Sequence, residues 1–193
     1  FGGILHRGAL AGEAMIEAFQ TILASLSSTG FDELQYKAVP WIYHRQPAQD
    51  DLYALFRLGA ERWRCDLSSA LSLNTPLVPS ENRRRALRRA ATAGLLVRSA
   101  PDRLADYWKL LASVLKARHG VRPTHSLEEI AMLVERFPNS IRLIIAEAGE
   151  NILAGTLLYI TPVAAHAQYI ASSPEGNAQG ALDAVFQDAF SLA

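Results

Sequence analysis

The stretch that decides the fold is Val163–Leu192, VAAHAQYIASSPEGNAQGALDAVFQDAFSL. It opens as an alternating apolar strand carrying His166, Gln168 and Tyr169. A strand presents alternate side chains on alternate faces, so His166 and Gln168 are expected on one face and Tyr169 on the other. The chain then turns through Ser172-Ser173-Pro174-Glu175-Gly176 and continues as a helix. Ala181, Leu182, Val185, Phe186, Ala189 and Phe190 recur at helical spacing and predict one apolar face. A strand, a glycine-bearing turn and a helix start together predict an anion site. The first N–H groups of a helix lack intrahelical partners, and its dipole is positive at that end.

The remainder of the chain supports an ordinary globular protein. It has 193 residues, half of them hydrophobic and a fifth charged, with zero formal net charge. That length can bury a sizeable core, and the neutral total does not point to nucleic acid or an anionic membrane. No apolar run approaches the roughly 18 residues of a membrane span, and no signal peptide is visible. The single Cys65 cannot form an internal disulfide and fits a reducing cytoplasm. The chain opens at Phe1, inside an apparent strand, and closes at Ala193 just after a helix, so it is expected to be a piece of a longer protein.

Working back along the chain, helices are predicted over Glu13–Leu26, from about Gln49, after Ser80, from Pro101, and after Ser126. Ser126-Leu127-Glu128-Glu129 reads as a capping box. Strands are predicted at Phe1–Leu5, Phe31–Val39, Trp63–Leu73 and Leu95–Arg98. Ile141–Glu147 and Ile152–Ile160 read as a hairpin through Gly149-Glu150-Asn151. Asn74-Thr75-Pro76 with Pro79-Ser80 reads as a linker.

AGTLLYIT, then HAQYIASSPEG, then GALDAVF resembles the central strands and cofactor-side helix of the GNAT acyltransferase superfamily. More narrowly it resembles the Fem-type branch and its bacterial acetyltransferase (GNAT) domain relatives. The resemblance implies an α/β fold with a mixed α+β sheet. Residues 1–75 would be the C-terminal part of a first GNAT-like unit, and 76–193 the N-terminal part of a second. It also implies a cytoplasmic acyl- or aminoacyltransferase acting on an amine of a cell-wall or surface-polysaccharide precursor. The alternative is a non-catalytic GNAT-like binding module that has lost its donor loop.

Acyl-CoA-dependent members carry a pyrophosphate loop of the form Arg/Gln-x-x-Gly-x-Gly/Ala. Here Gly180 matches the first glycine, Asn177 stands where Arg or Gln is usual, and Leu182 replaces the final small residue. The resemblance therefore implies acetyl-CoA or another acyl-CoA at Glu175, Gly176, Asn177 and Gly180, with aminoacyl-tRNA as the alternative donor. His166 is the expected base or orienting group, with Gln168 and Tyr169 beside it in the catalytic strand. A helix rich in arginine carries Arg84, Arg85 and Arg88, which suit the phosphates of a nucleotide-sugar acceptor or a tRNA, or form a solvated face. Tyr43 and His44, in the loop after Pro40, are further acceptor-binding candidates. No Cys/His/Asp cluster has metal-ligand spacing, and no metal is expected. An incomplete sheet with an open edge makes a homodimer possible.

Overall fold

The computed structural model describes residues 2–75 and 78–192. Phe1 and Pro76, read above as part of a strand and of a linker, lie outside the described residues. The chain divides into two compact units, Phe1–Ala70 and Leu71–Ala193.

The first unit is two helices on a small core. Helices α1 (Glu13–Ser28) and α2 (Asp50–Arg57) bury Met15, Phe19 and Ala54. The Tyr36 ring meets Phe19 edge-on at 5.2 Å. Its hydroxyl donates to Asp51 at 2.8 Å and accepts the Ile4 N–H. Burial, reinforced by Asp51, pushes that phenol up to about 12. The three strands expected here do not form among the described residues. Among the described residues, Gly2 and Lys37 make one isolated bridge and Trp63–Leu73 has no strand. The alternation in FDELQYKAV has a physical limit: a strand is stabilised by cross-strand neighbours, and this one has no ladder to join. Phe31 and Leu34 remain exposed accordingly.

The second unit carries the sheet. Helix α3 (Glu81–Thr92) begins where Ser80 caps the Arg83 N–H. Strand β1 (Leu96–Ser99) follows, and one turn of 3₁₀ helix at Pro101–Arg103 leads into α4 (Leu104–His119). Helix α5 (Leu127–Arg136) starts on the expected capping box. Ser126 accepts the Glu129 N–H at 3.2 Å, and Glu129 accepts the Ser126 N–H at 2.7 Å. Replacing Ser126 with Ala should lower stability by about 1 kcal/mol, read by chemical denaturation. An unchanged midpoint would show that the box contributes nothing here.

Strands β2 (Ile141–Ala148), β3 (Asn151–Ile160) and β4 (Ala165–Ser172) complete an antiparallel sheet in the order β1-β2-β3-β4. Helices α6 (Pro174–Gln179) and α7 (Ala181–Leu192) close the unit. One sheet face packs Leu143, Ile145 and Leu157 against Tyr107, Trp108 and Leu111 of α4 and Ile130 of α5. The other packs Ile144, Ala146, Ala154 and Leu158 against Ala181, Val185 and Ala189 of α7. Sheet residues buried on both faces explain why β2 and β3 read as near-continuous apolar runs. Glu147, 6% exposed, ties these pieces together: its carboxylate meets Arg98 of β1 at 2.7 Å and Arg103 at 3.1 Å.

Candidate active site

Strand β4 carries the candidate residues His166, Gln168 and Tyr169, and one irregularity in its register decides which way they face. Leu157 of β3 faces Tyr169, but the next residue, Leu158, faces Ala167, so Gln168 is an extra residue in β4. Such a bulge breaks alternation and drops the extra residue out of the ladder. Tyr169 and Ala171 lie in the core under α4 and α5, whereas Ala167 packs on the α7 side. His166 stands opposite Tyr159, which packs against the α4–α5 core. Opposed residues of a ladder share a face, so His166 shares Tyr169's face. The expectation of opposite faces is thus corrected, because period-two reasoning assumes no inserted residue.

The bulge therefore gathers His166, Gln168, Tyr159 and Tyr169. The Gln168 side chain hydrogen-bonds His166, and burial is the larger influence, holding the imidazole below its ordinary value despite that bond. Burial and the neighbouring Tyr169 raise Tyr159, whose hydroxyl is buried with no hydrogen-bond partner among the described residues. The Tyr169 backbone is held as firmly as its ring. Its carbonyl accepts from Tyr107 Oη at 3.0 Å and Thr156 Oγ1 at 3.1 Å. The ring meets Trp108 edge-on at 5.0 Å, and its hydroxyl lies 2.6 Å from His125 Nδ1. His125 is a further neighbour of this group. Nothing in hydrophobic periodicity marks it, since it sits in the corner between α4 and α5.

The turn after β4 differs from its expected form. Pro174–Gln179 is a six-residue helix capped by Ser173, not an open loop. Gly176 lies against Leu153, so close that a Cβ would overlap the Leu153 carbonyl. Gly180 ends α6 at φ +76° and lies against the Ala86 backbone of α3 in the same way. Both glycines therefore answer to packing. Glu175 and Asn177 are exposed, and Glu175 accepts from Gln179.

The arginine helix splits by role. Arg83 donates to Asp183, in the first turn of α7, at 2.9 Å, and Arg89 donates to the Ala178 carbonyl at 3.1 Å. These two hold α3 against α6 and α7. Arg84, Arg85 and Arg88 gather instead on Glu81 at 2.9, 3.4 and 3.8 Å, all about half exposed or more. Helix α3 packs on α6 and α7, and α7 covers the sheet face opposite Tyr169, so Arg84, Arg85 and Arg88 are not brought to the His166 group. Tyr43 and His44 belong to the first unit. Tyr43 ends a turn of 3₁₀ helix and is raised by burial, and the His44 ring bonds the Val39 carbonyl at 3.1 Å.

The strand, turn and helix of the sequence resemblance are present, and the sheet that carries them is antiparallel, with helices on both faces. The family model described as "Acetyltransferase (GNAT) domain" matches residues 80–192, more than half of the chain. The chain belongs to the GNAT acetyltransferase domain family. A search of curated proteins finds no match. The matched span starts at the α3 cap and ends with α7, so it takes in the sheet, the bulge and both packed glycines. GNAT domains generally take their acyl group from an acyl-CoA. In this GNAT domain the open sides of Gly176 and Gly180 face protein backbone, and their N–H groups are bonded to Ser173 Oγ and to the Asn177 carbonyl. Arg83 and Arg89 are engaged with Asp183 and with the Ala178 carbonyl, and Asn177 is exposed. Among the described residues no group of three or more His, Cys, Asp or Glu side chains is placed to hold a metal, and no helix is long and apolar enough to cross a membrane.

Proposed function

We propose that this GNAT domain transfers an acyl or aminoacyl group to an amine of a cell-wall or surface-polysaccharide precursor, as a Fem-type enzyme would. The observation that carries the reading is the bulge at Gln168, which puts His166 and Tyr169 of β4 and Tyr159 of β3 on one face of the sheet, with the Gln168 side chain hydrogen-bonded to His166. The donor supplies an activated acyl carbonyl. The chain's own residues position the amine and accept its proton, and the strand N–H released by the bulge stabilises charge on the carbonyl oxygen. His166, uncharged near neutral pH, orients the amine or takes its proton, with Gln168 fixing the ring. An aromatic and amide surface suits a sugar acceptor, while the arginines of α3, on the far side of the sheet, suit only phosphates of the donor, an acyl-CoA or a tRNA.

A second reading, a binding module without catalysis, is favoured by the buried glycines and by Asn177 and Leu182 at the donor segment. Calorimetric titration with acetyl-CoA separates the two. Micromolar binding, weakened about tenfold when Arg89 is replaced by Ala, is the expected result for an acyl-CoA enzyme. Absence of binding points to aminoacyl-tRNA or to the module, and a charged-tRNA binding assay then decides between them.

A further inference from the structure

Resting on the proposed acyl transfer, we infer that the acceptor is a nucleoside-diphosphate sugar, and that Arg118, with Lys116 and Arg122, holds its diphosphate. The arginines of α3 lie on the far side of the sheet, so an anionic acceptor at His166 needs cations on the α4–α5 side. Between Tyr107 and Leu127 the chain has Lys109, Lys116, Arg118 and Arg122 and no Asp or Glu, although the whole chain is neutral. Lys109 is paired with Asp106 at 3.0 Å. Lys116, Arg118 and Arg122 are exposed and, among the described residues, make no ion pair. Both acids that follow, Glu128 and Glu129, are drawn into the α5 cap.

The placement of Arg118 is the informative one. Leu104, Tyr107, Trp108 and Leu111 of α4 are buried, and Val114 and Leu115 pack beside them at helical spacing. Position 118 is the next on that core-facing stripe. An arginine stands there, and it is exposed. The stripe therefore runs past the end of the core and presents a cation where an apolar residue would continue it. A cation in the last turn of a helix suits the helix dipole, which accounts for Lys116. The dipole does not select the stripe position of Arg118. It does not reach Arg122 either, which follows the left-handed Gly120 that ends the helix.

Two anchors bring this end of α4 to His166. Arg103, just before α4, donates to the Glu150 carbonyl in the β2–β3 turn at 2.9 Å. Tyr107 then bonds the Gly155 carbonyl at 3.3 Å, so α4 runs along β3 toward the β3–β4 turn. From Tyr107 to Arg118 the helix rises about 16 Å, and from Gly155 to Tyr159 the strand advances about 13 Å. Arg118 thus comes level with Tyr159, the ladder partner of His166. Leu115 and Tyr159 accordingly flank the same core. Beyond Arg122 the chain is tied to β4 again. The His125 N–H donates to Tyr169 Oη at 3.3 Å, and Nδ1 lies 2.6 Å from the same oxygen. The cationic segment is therefore held on the His166 side of the sheet at both ends. Guanidinium groups grip phosphate oxygens in pairs, and three free cations match one diphosphate. A nucleic acid draws on about six to ten phosphate contacts, more than this corner offers.

The test is calorimetric titration of the whole protein with UDP-glucosamine, whose free amine also makes it an acceptor probe. Micromolar binding is expected, about tenfold weaker in Arg118→Gln and about a hundredfold weaker when Lys116→Gln and Arg122→Gln are added. Unphosphorylated glucosamine should bind the parent about tenfold more weakly than UDP-glucosamine. Lys109→Gln removes the same charge nearer the start of α4 and should leave affinity within about twofold. Absence of UDP-glucosamine binding, or equal affinity in the parent and the triple variant, overturns the assignment. So does tRNA that binds tighter than UDP-glucosamine and loses that affinity in the triple variant, which makes the corner a nucleic-acid surface. Thiol release from acetyl-CoA with UDP-glucosamine scores the transfer reading separately. Binding that requires Arg118 without thiol release upholds the diphosphate site and overturns acetyl transfer to that amine.

Discussion

Gly180→Ala should unfold about 10 °C below the parent, a loss of roughly 3 kcal/mol for a unit of this size. Two independent costs add. Gly180 has φ +76°, where a side chain costs roughly 1–2 kcal/mol. A Cβ there would also strike the carbonyl and Cα of Ala86, backbone atoms of a regular helix that cannot swing aside. Forced overlap in a packed site costs about 1–3 kcal/mol. Two further variants separate these terms. Gly120 has φ +67° and nothing within 4 Å of an added Cβ, so Gly120→Ala shows the backbone term alone. Gly176 is helical without positive φ, and its added Cβ would strike the Leu153 carbonyl, so Gly176→Ala shows the contact term alone. Should Gly180→Ala melt no lower than Gly120→Ala, the α3 contact would not restrict that position. The glycines would then be free to serve a ligand.

That result bears on what a glycine in such a segment signifies. Read from the sequence, Gly176 and Gly180 fitted a phosphate-binding turn, because a ligand and a neighbouring backbone make the same demand for a missing Cβ. Only the placement of α3 and β3 distinguishes the two.

Where side-chain pattern alone sets an element, the sequence was readable. Ser126 with Glu129, Ser80 before the arginine helix, and the hairpin around Gly149 all appear at or near the expected residues. The first unit was misread because alternation in Phe31–Val39 reports a half-buried pattern, and a strand additionally needs a partner. The site was half legible. Alternation locates His166, Gln168 and Tyr169 in one strand, but the common face of His166 and Tyr169 depends on a one-residue insertion in register. His125 lies 44 residues from Tyr169, a separation no local pattern spans.

The second large effect is expected at Gly155, on the strand facing the bulge. A Cβ on Gly155 would stand 2.8 Å from two ring carbons of Tyr107 and 3.0 Å from the Ile144 carbonyl. Tyr107 is fully buried, and its hydroxyl bridges the Gly155 and Tyr169 carbonyls at 3.3 and 3.0 Å. Burial raises that phenol, so it stays a neutral donor across the working pH range. Gly155→Ala must displace the ring, adding about 2 kcal/mol of overpacking and loosening hydrogen bonds worth about 1 kcal/mol each. The same displacement removes one of the two donors to the Tyr169 carbonyl at the bulge, leaving only Thr156, so transferase turnover should fall together with stability. A double-mutant cycle tests the cause. In a Tyr107→Leu background the ring is gone, and Gly155→Ala should cost about 1–3 kcal/mol less than it does in the parent. Equal costs in the two backgrounds would mean that Gly155 is needed for the Ile144 backbone, and that Tyr107 does not hold the bulge.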